Sequence, residues 1–170
     1  IERIYGILEL IIRKVAMPGN LSPLVSVVMT VYNSRNFVQK TIESVLFQDF
    51  KNFEFIIIDD ASNDGSPDII ASYRDERIVL VVNQTNLGQT KSLNAALRMC
   101  RGRYVARIDN DDICLPNRLS LQVAFMEENR DIAVLGSWIR IIDNAGRTIG
   151  EEHYPLAPDF MHFLLAGLLH

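Results

Sequence analysis

The sequence predicts an α/β domain: a mostly parallel sheet flanked by helices on both faces, with a short β-hairpin near the C-terminal end. Three observations lead there. Short, near-continuous apolar runs recur, clearest at 25–31 and 53–58, and such runs suit strands buried on both faces. Segments with apolar residues at helical spacing lie between them. Polar residues gather directly after the strands, which is where open parallel sheets bind ligands.

Taken in order, residues 1–16 carry Ile4, Ile7, Leu8, Ile11, Ile12 and Val15 at helical spacing, with Glu2, Arg3, Glu9, Arg13 and Lys14 between them. This pattern predicts an amphipathic helix. Its charges are of both signs, which favours packing on the domain itself or on a second copy over a peripheral membrane contact. Pro18, Gly19 and Pro23 mark a linker, so 1–20 reads as helix and linker and 21–170 as the main domain. Residues 25–31 form a strand, and 37–47 a helix through Phe37, Val38, Ile42, Val45 and Leu46. Residues 53–58 form a second strand ending in Asp59-Asp60, and 67–73 a short helix that Asp64 or Ser66 could cap. A third strand at 78–82 leads to a helix at 90–99 that Gly102 follows. The fourth strand, 104–108, is followed by a helix at 117–128, and 132–135 begins a fifth strand. The turn residues 143–146 predict a hairpin joining 138–142 to 147–149. Trp138 and the phenylalanines read as core. The chain opens on Ile1 and closes on the apolar stretch 163–169, so a piece of a longer protein is expected.

A length of 170 residues allows one substantial core, and 48% apolar with 22% charged residues is ordinary for a globular domain. The net charge of −4 argues against a nucleic-acid partner, which needs a basic surface. Cys100 and Cys114 form no metal or redox motif, and a reducing compartment suits them. No apolar run is long enough to span a bilayer. His153, His162 and His170 are scattered without ligand spacing and receive no role.

Asp109-Asn110-Asp111-Asp112 follows the fourth strand. Three carboxylates so close repel one another unless a cation sits among them. Hard divalent ions such as Mg²⁺ take carboxylate oxygen, usually one or two protein ligands plus a substrate's phosphates. The cluster therefore points to a metal at Asp109 and Asp111 holding a phosphorylated substrate. The segment 30–36 contains no glycine, which excludes a dinucleotide fingerprint, and no P-loop is present. The phosphates then depend on the metal, helped by Lys91 or Arg107. Asp60, with nothing basic next to it in sequence, suits a hydrogen-bond acceptor for a nucleotide N–H or ribose hydroxyl, and Tyr32 offers a face for a base. Taken singly, 59–66 is a run of turn-forming residues, Tyr32 is packing and Asn86-Leu87-Gly88 is a loop. The weight lies in their common position after successive strands.

These motifs resemble those of family 2 glycosyltransferases, inverting enzymes with the Rossmann-like fold called GT-A. The likeness runs from Leu24 to about Tyr154. It rests on three motifs: residues 25–33, residues 57–66, and 107–112 with Leu115-Pro116-Asn117-Arg118-Leu119. A looser fourth spans 86–96. The resemblance implies a nucleotide-sugar donor, most often a UDP-sugar, with Thr30, Tyr32 and Asp60 holding the nucleoside. Asp109 and Asp111 would match the D-x-D element on ribose and on the Mn²⁺ or Mg²⁺ of the diphosphate. Asp112 would lie nearer the sugar, with Lys91 and Asn94 lining the same cleft, Lys91 beside the nucleotide and Asn94 beside the sugar.

The reaction so implied is attack of an acceptor hydroxyl opposite the leaving diphosphate, with inversion at the anomeric carbon. The family's base is an acid contributed well after the D-x-D element, from the acceptor-binding half. None of Glu127, Glu128, Asp131, Asp143, Glu151, Glu152 and Asp159 sits in a recognisable base motif, so no base is assigned. The expectation is a donor-binding part truncated before the acceptor-binding half, which binds nucleotide but transfers sugar poorly. A glycan or lipid-linked acceptor and polysaccharide or cell-surface glycan assembly are the family's common setting. They imply a cytoplasmic enzyme working near a membrane. Two alternatives are a sugar nucleotidyltransferase, which usually has a glycine-rich basic stretch absent from 30–36, and a non-catalytic nucleotide-binding module.

Overall fold

The computed structural model describes residues 10–13, 23–143 and 145–153. Two compact units divide at Gly136/Ser137. The larger holds a six-stranded sheet in the order β4-β3-β2-β5-β1-β6. Its strands are β1 (Leu10–Arg13), β2 (Val25–Val31), β3 (Phe53–Asp59), β4 (Ile78–Val82), β5 (Tyr104–Arg107) and β6 (Val134–Gly136). β2 to β5 are parallel, and β1 runs antiparallel between β5 and β6. The helices are α1 (Val38–Leu46), α2 (Ser66–Ser72), α3 (Gln89–Met99) and α4 (Arg118–Glu128).

Side-chain alternation along the strands builds two cores. Val25, Val27, Met29 and Val31 of β2, with Phe55 and Ile57 of β3, face α1, α2 and α4, meeting Val38, Ile42, Val45, Ile70, Leu119, Val123 and Met126. Val28 of β2, with Ile56 and Ile58 of β3, faces α3 through Ala96, Leu93 and Leu97. Each fully buried Ile or Phe contributes roughly 1.5–3 kcal/mol of transfer free energy. Both faces of β2 and β3 are buried throughout, which is why these strands read as near-continuous apolar runs.

The first sequence expectation to be overturned lies near the N-terminus. Residues 10–13 are a strand, not part of an amphipathic helix over 1–16. Ile11 and Ile12 pair with Ala106 and Val105 of β5, so the segment belongs to the sheet. The apolar run of β-branched residues suits either element, and a neighbouring strand edge with unpaired N–H and C=O groups selects the extended one. The remainder of 1–16, any surface it presents, and the 163–169 stretch lie outside the described residues.

At the amino ends of the parallel strands, Gly102 passes against Ser26. A Cβ there would lie 2.5 Å from the Ser26 backbone N and 2.7 Å from the Val25 carbonyl carbon. The Gly102 N–H donates to Ser26 Oγ (2.8 Å), which donates to buried Glu54 Oε1 (2.6 Å). Arg101 adds its N–H to Oε1 and its guanidinium to Oε2.

The second unit, by itself, is the expected hairpin of β7 (Ile139–Ile142) and β8 (Thr148–Glu152). Its turn is closed by the Asp143 N–H donating to the Arg147 C=O at 2.9 Å. Trp138 is not core. It is 59% exposed and stacks on His153 across the open end of the hairpin at 4.1 Å. Phe47 and Phe125 are also exposed, at 75% and 41%. No helix among the described residues is long and apolar enough to cross a membrane.

Candidate active site

Parallel pairing puts the carboxyl ends of β2, β3 and β4 level, since Val31 pairs with Asp59 and Asp59 with Val82. Thr30, Tyr32, Asp60, Asn83 and the acid turn therefore emerge on one rim. Thr30 is buried at the end of β2, and Tyr32, just beyond it, is half exposed.

The loops after β2 and β3 are interlocked. The Asn33 N–H donates to Ser62 Oγ (2.9 Å), and Asn33 Oδ1 accepts the Asn63 N–H (3.0 Å). The Ser34 N–H donates to Ser66 Oγ and the Arg35 N–H to Asp64 Oδ2. Asn33 and Ala61 adopt positive φ, 51° and 63°, and no other non-glycine among the described residues does. Each directly follows a candidate ligand residue, Tyr32 and Asp60 respectively. Such conformations persist where surrounding bonds over-determine them, and they cluster at ligand clamps. Asp64 Oδ1 also takes the Ser66 N–H at the start of α2, with Gly65 at the cap in the left-handed region.

Asp60 is more committed than its sequence context suggests. Its Oδ1 accepts from Asn83 Nδ2 (2.7 Å), the Leu87 N–H (2.9 Å) and Ser92 Oγ (2.9 Å). Its Oδ2 accepts the Gly88 N–H (2.8 Å). Burial by itself would raise this carboxyl. The bonds from the Leu87 N–H, Asn83, Ser92 and the Gly88 N–H outweigh it and hold the group below its ordinary value. Asp60 thus stays ionised and anchors the 83–88 loop and the start of α3. Oδ2, with one protein donor, keeps acceptor capacity. Lys91 and Asn94 are exposed on the first turns of α3. Three residues apart, they share a helix face.

The acid cluster is a tight turn closed by the Asp112 N–H donating to the Asp109 C=O at 3.3 Å. Asp109 and Asp111 are part-buried and Asp112 is buried. Arg107 donates to Asp109 Oδ1 at 2.6 Å, so the cation nearest the cluster in sequence is paired with its first acid. Arg118 braces the turn from α4, donating to the Arg107 C=O at 2.9 Å. Gln48 holds the following loop, its Nε2 to the Leu115 C=O and its Oε1 to the Leu119 N–H.

The sequence marks Asn33, Asn83 and Asn110 only by their position after a strand, and assigns no role to them or to Ser34, Ser62 and Ser92. Each is a small polar residue, and all but Ser92, which lies in α3, read as loop material. Their partners lie 9 to 80 residues away, so no local pattern reveals them. Asn83, directly after β4, was the most discoverable, because it holds the strand-end position that draws attention to Asp60.

The donor set can be tested against a divalent ion. No group of three or more His, Cys, Asp or Glu side chains among the described residues is placed to hold a metal alone. Part-buried carboxylates on one turn offer one or two hard oxygen ligands. That number fits an ion whose remaining sites are filled by phosphate oxygens and water.

An open, mostly parallel sheet with this rim places a ligand site beyond the carboxyl ends of its strands. The sequence matches Glycosyl transferase family 2 over residues 26–167, and the chain belongs to that family. It is 44% identical over 133 residues to an uncharacterized glycosyltransferase of Methanocaldococcus jannaschii, covering 76% of this chain and 46% of the relative. It is 39% identical over 107 residues to the Escherichia coli UDP-Glc:alpha-D-GlcNAc-diphosphoundecaprenol beta-1,3-glucosyltransferase WfaP, covering 63% and 43%. Among solved structures, Staphylococcus aureus TarS 1-349 in complex with UDP-GlcNAc superposes with a TM-score of 0.60 at 31% identity. That match covers 62% of this chain and 32% of the other. The chain spans about half the length of the curated relatives it matches. The fold is the GT-A type expected.

Proposed function

We propose that this chain carries the donor site of an inverting glycosyltransferase that moves a sugar from a UDP-sugar to an acceptor hydroxyl with help from Mn²⁺ or Mg²⁺. The observation that carries this reading is the convergence of Tyr32, Asp60 and the Asp109–Asp112 turn at the carboxyl ends of β2, β3 and β5. The nucleotides named for TarS and the substrates named for WfaP support uridine as the nucleoside and a glycan or lipid-linked acceptor. A lipid-linked acceptor would place the reaction at a membrane surface, in polysaccharide or cell-surface glycan biosynthesis.

In this reading Tyr32 stacks on the base, while Thr30 and the free acceptor capacity of Asp60 Oδ2 take polar groups of the nucleoside. Asp109 faces the ribose and, with Asp111, would hold the metal, which when bound stabilises charge on the departing diphosphate as a Lewis acid. Lys91 adds a positive charge at the nucleotide from the first turn of α3. Asp112 and Asn94 orient the sugar by hydrogen bonds. Arg107 fixes one oxygen of Asp109 and so limits its rotation. An acceptor oxygen entering opposite the diphosphate gives inversion. The base remains unassigned.

Calorimetric titration with UDP, with and without Mn²⁺, tests this. Binding that tightens with the metal and loses that gain in Asp111→Asn is expected. Absence of UDP binding under both conditions would refute the donor-site reading.

A further inference from the structure

Asn110 is the one non-acid in the 109–112 turn, and it is tied to β2 and α1 by both its side chain and its backbone. Its Nδ2 donates to the Thr30 C=O at 3.0 Å, and its Oδ1 accepts from Ser34 Oγ at 2.8 Å. Its backbone C=O accepts from Ser34 Oγ at 3.2 Å and from Thr41 Oγ1, on α1, at 3.0 Å. Thr30 and Ser34 bracket Tyr32. One amide therefore joins the turn bearing the carboxylates to both ends of the loop bearing the nucleoside face. The loop after β2 has a second, independent attachment on its other side, through Asn33 to Ser62, Ser34 N–H to Ser66 and Arg35 to Asp64. Removing the Asn110 amide thus takes away the side-chain ties of the acid turn to Thr30 and Ser34, leaving its backbone bonds to Ser34 and Thr41, while the nucleoside loop stays held on its other side.

We propose that Asn110 is a positioning residue that aligns the Asp109 and Asp111 carboxylates with the nucleoside loop, so that nucleoside and metal-bound diphosphate bind as one unit. This rests on the donor-site reading above. The middle residue of the D-x-D element is here a structural coupler, and its amide is needed in both senses: the N–H₂ meets a carbonyl and the oxygen meets a hydroxyl. Alanine removes both bonds. Aspartate keeps the size and the acceptor for Ser34, but sets a carboxylate oxygen against the Thr30 C=O.

The experiment measures UDP affinity with and without Mn²⁺ for the wild type, Asn110→Ala, Asn110→Asp and Ser34→Ala, with thermal unfolding alongside. Two lost hydrogen bonds of ordinary strength set the expected scale: the Mn²⁺ gain falls about tenfold in Asn110→Ala, while metal-free affinity stays within about twofold. Asn110→Asp separates alignment from charge. An added carboxylate would raise the Mn²⁺ gain if local charge alone mattered, and lowers it if alignment does. Should Asn110→Ala fail to fold, Ser34→Ala removes only hydroxyl partners and carries the same expectation at smaller size. A wild-type gain that survives Asn110→Ala, or that grows in Asn110→Asp, overturns the coupling alone. A folded variant that loses metal-free and metal-dependent affinity equally also overturns it. A wild type that binds UDP without any gain from Mn²⁺ overturns the metal reading and the coupling together.

Discussion

Asn33 and Ser62 hold each other's loops: the Asn33 N–H donates to Ser62 Oγ at 2.9 Å, while Asn33 Oδ1 takes the N–H of the next residue, Asn63, at 3.0 Å. Asn33 needs φ of 51° to do this, and asparagine tolerates the left-handed region better than most residues. Asn33→Ala is expected to cost about 1–2 kcal/mol, from the lost acceptor and the added φ penalty. Asn33→Gly relieves the φ penalty but still lacks the acceptor, so it should be milder. Denaturant melts of both variants check the order, and an alanine variant as stable as the glycine one refutes the strain argument.

Asp60 and Asp111 should fail differently when each is changed to asparagine. Asp60→Asn places an amide nitrogen toward one or more of the donors on Asn83, Leu87, Ser92 and Gly88. A loss of about 2 kcal/mol in stability is expected, together with weaker UDP binding at any metal concentration. Asp111→Asn should remove only the metal-dependent part of binding and leave metal-free UDP affinity within about twofold of the wild type. Thermal unfolding and titration on the same samples distinguish the two.

Gly102→Ala tests the close approach of β5's leading loop to β2. The new Cβ would meet Ser26 N at 2.5 Å and the Val25 carbonyl carbon at 2.7 Å, both backbone atoms that cannot swing away. A cost of about 2–3 kcal/mol is expected, typical of overpacking, without a specific effect on nucleotide binding by the folded fraction. A stability change below the error of the melt would show that the strands slide apart freely there.

Glu54 provides an acid-sensitive support at the end of the sheet opposite the acid turn. Burial would raise its carboxyl, but Ser26 Oγ, the Arg101 N–H and the Arg101 guanidinium together hold it below the ordinary 4.5. With the folded value depressed, its contribution is full above the unfolded value and is lost as pH falls through the folded one. Glu54→Gln should cost about 2 kcal/mol at neutral pH and flatten the decline in stability below about pH 4.5. Parallel acid limbs for the variant and the wild type would assign that decline to other groups.

The parallel strands β2 to β5 and all four helices were legible because their signals are local: apolar runs, helical spacing, and Gly or Pro at the boundaries. The rim was legible for the same reason, since the residue after a strand inherits the strand's direction. Trp138 was misread because side-chain size alone suggested burial, whereas a two-stranded hairpin has room to bury it only against a cross-strand neighbour, His153. Residues 10–13 were misread because Ile11 and Ile12 fit either period, and the deciding fact, an open edge on β5, lies some 93 residues away (Val105 minus Ile12).

The sequence by itself determined the order of β2 to β5 and of the four helices between and after them, the family, and the set of polar residues that gather beyond the strand ends. Each of these depends on a residue's near neighbours or on the alternation they impose. Tertiary structure alone decided what those polar residues do to one another. It set Asp60 as the anchor of the loop after β4, Asn110 as the tie between the acid turn and β2, and Arg107 as the partner of Asp109. A hydrogen bond is made over about 3 Å, so its existence depends on where packing brings two groups, and spacing along the chain does not record that.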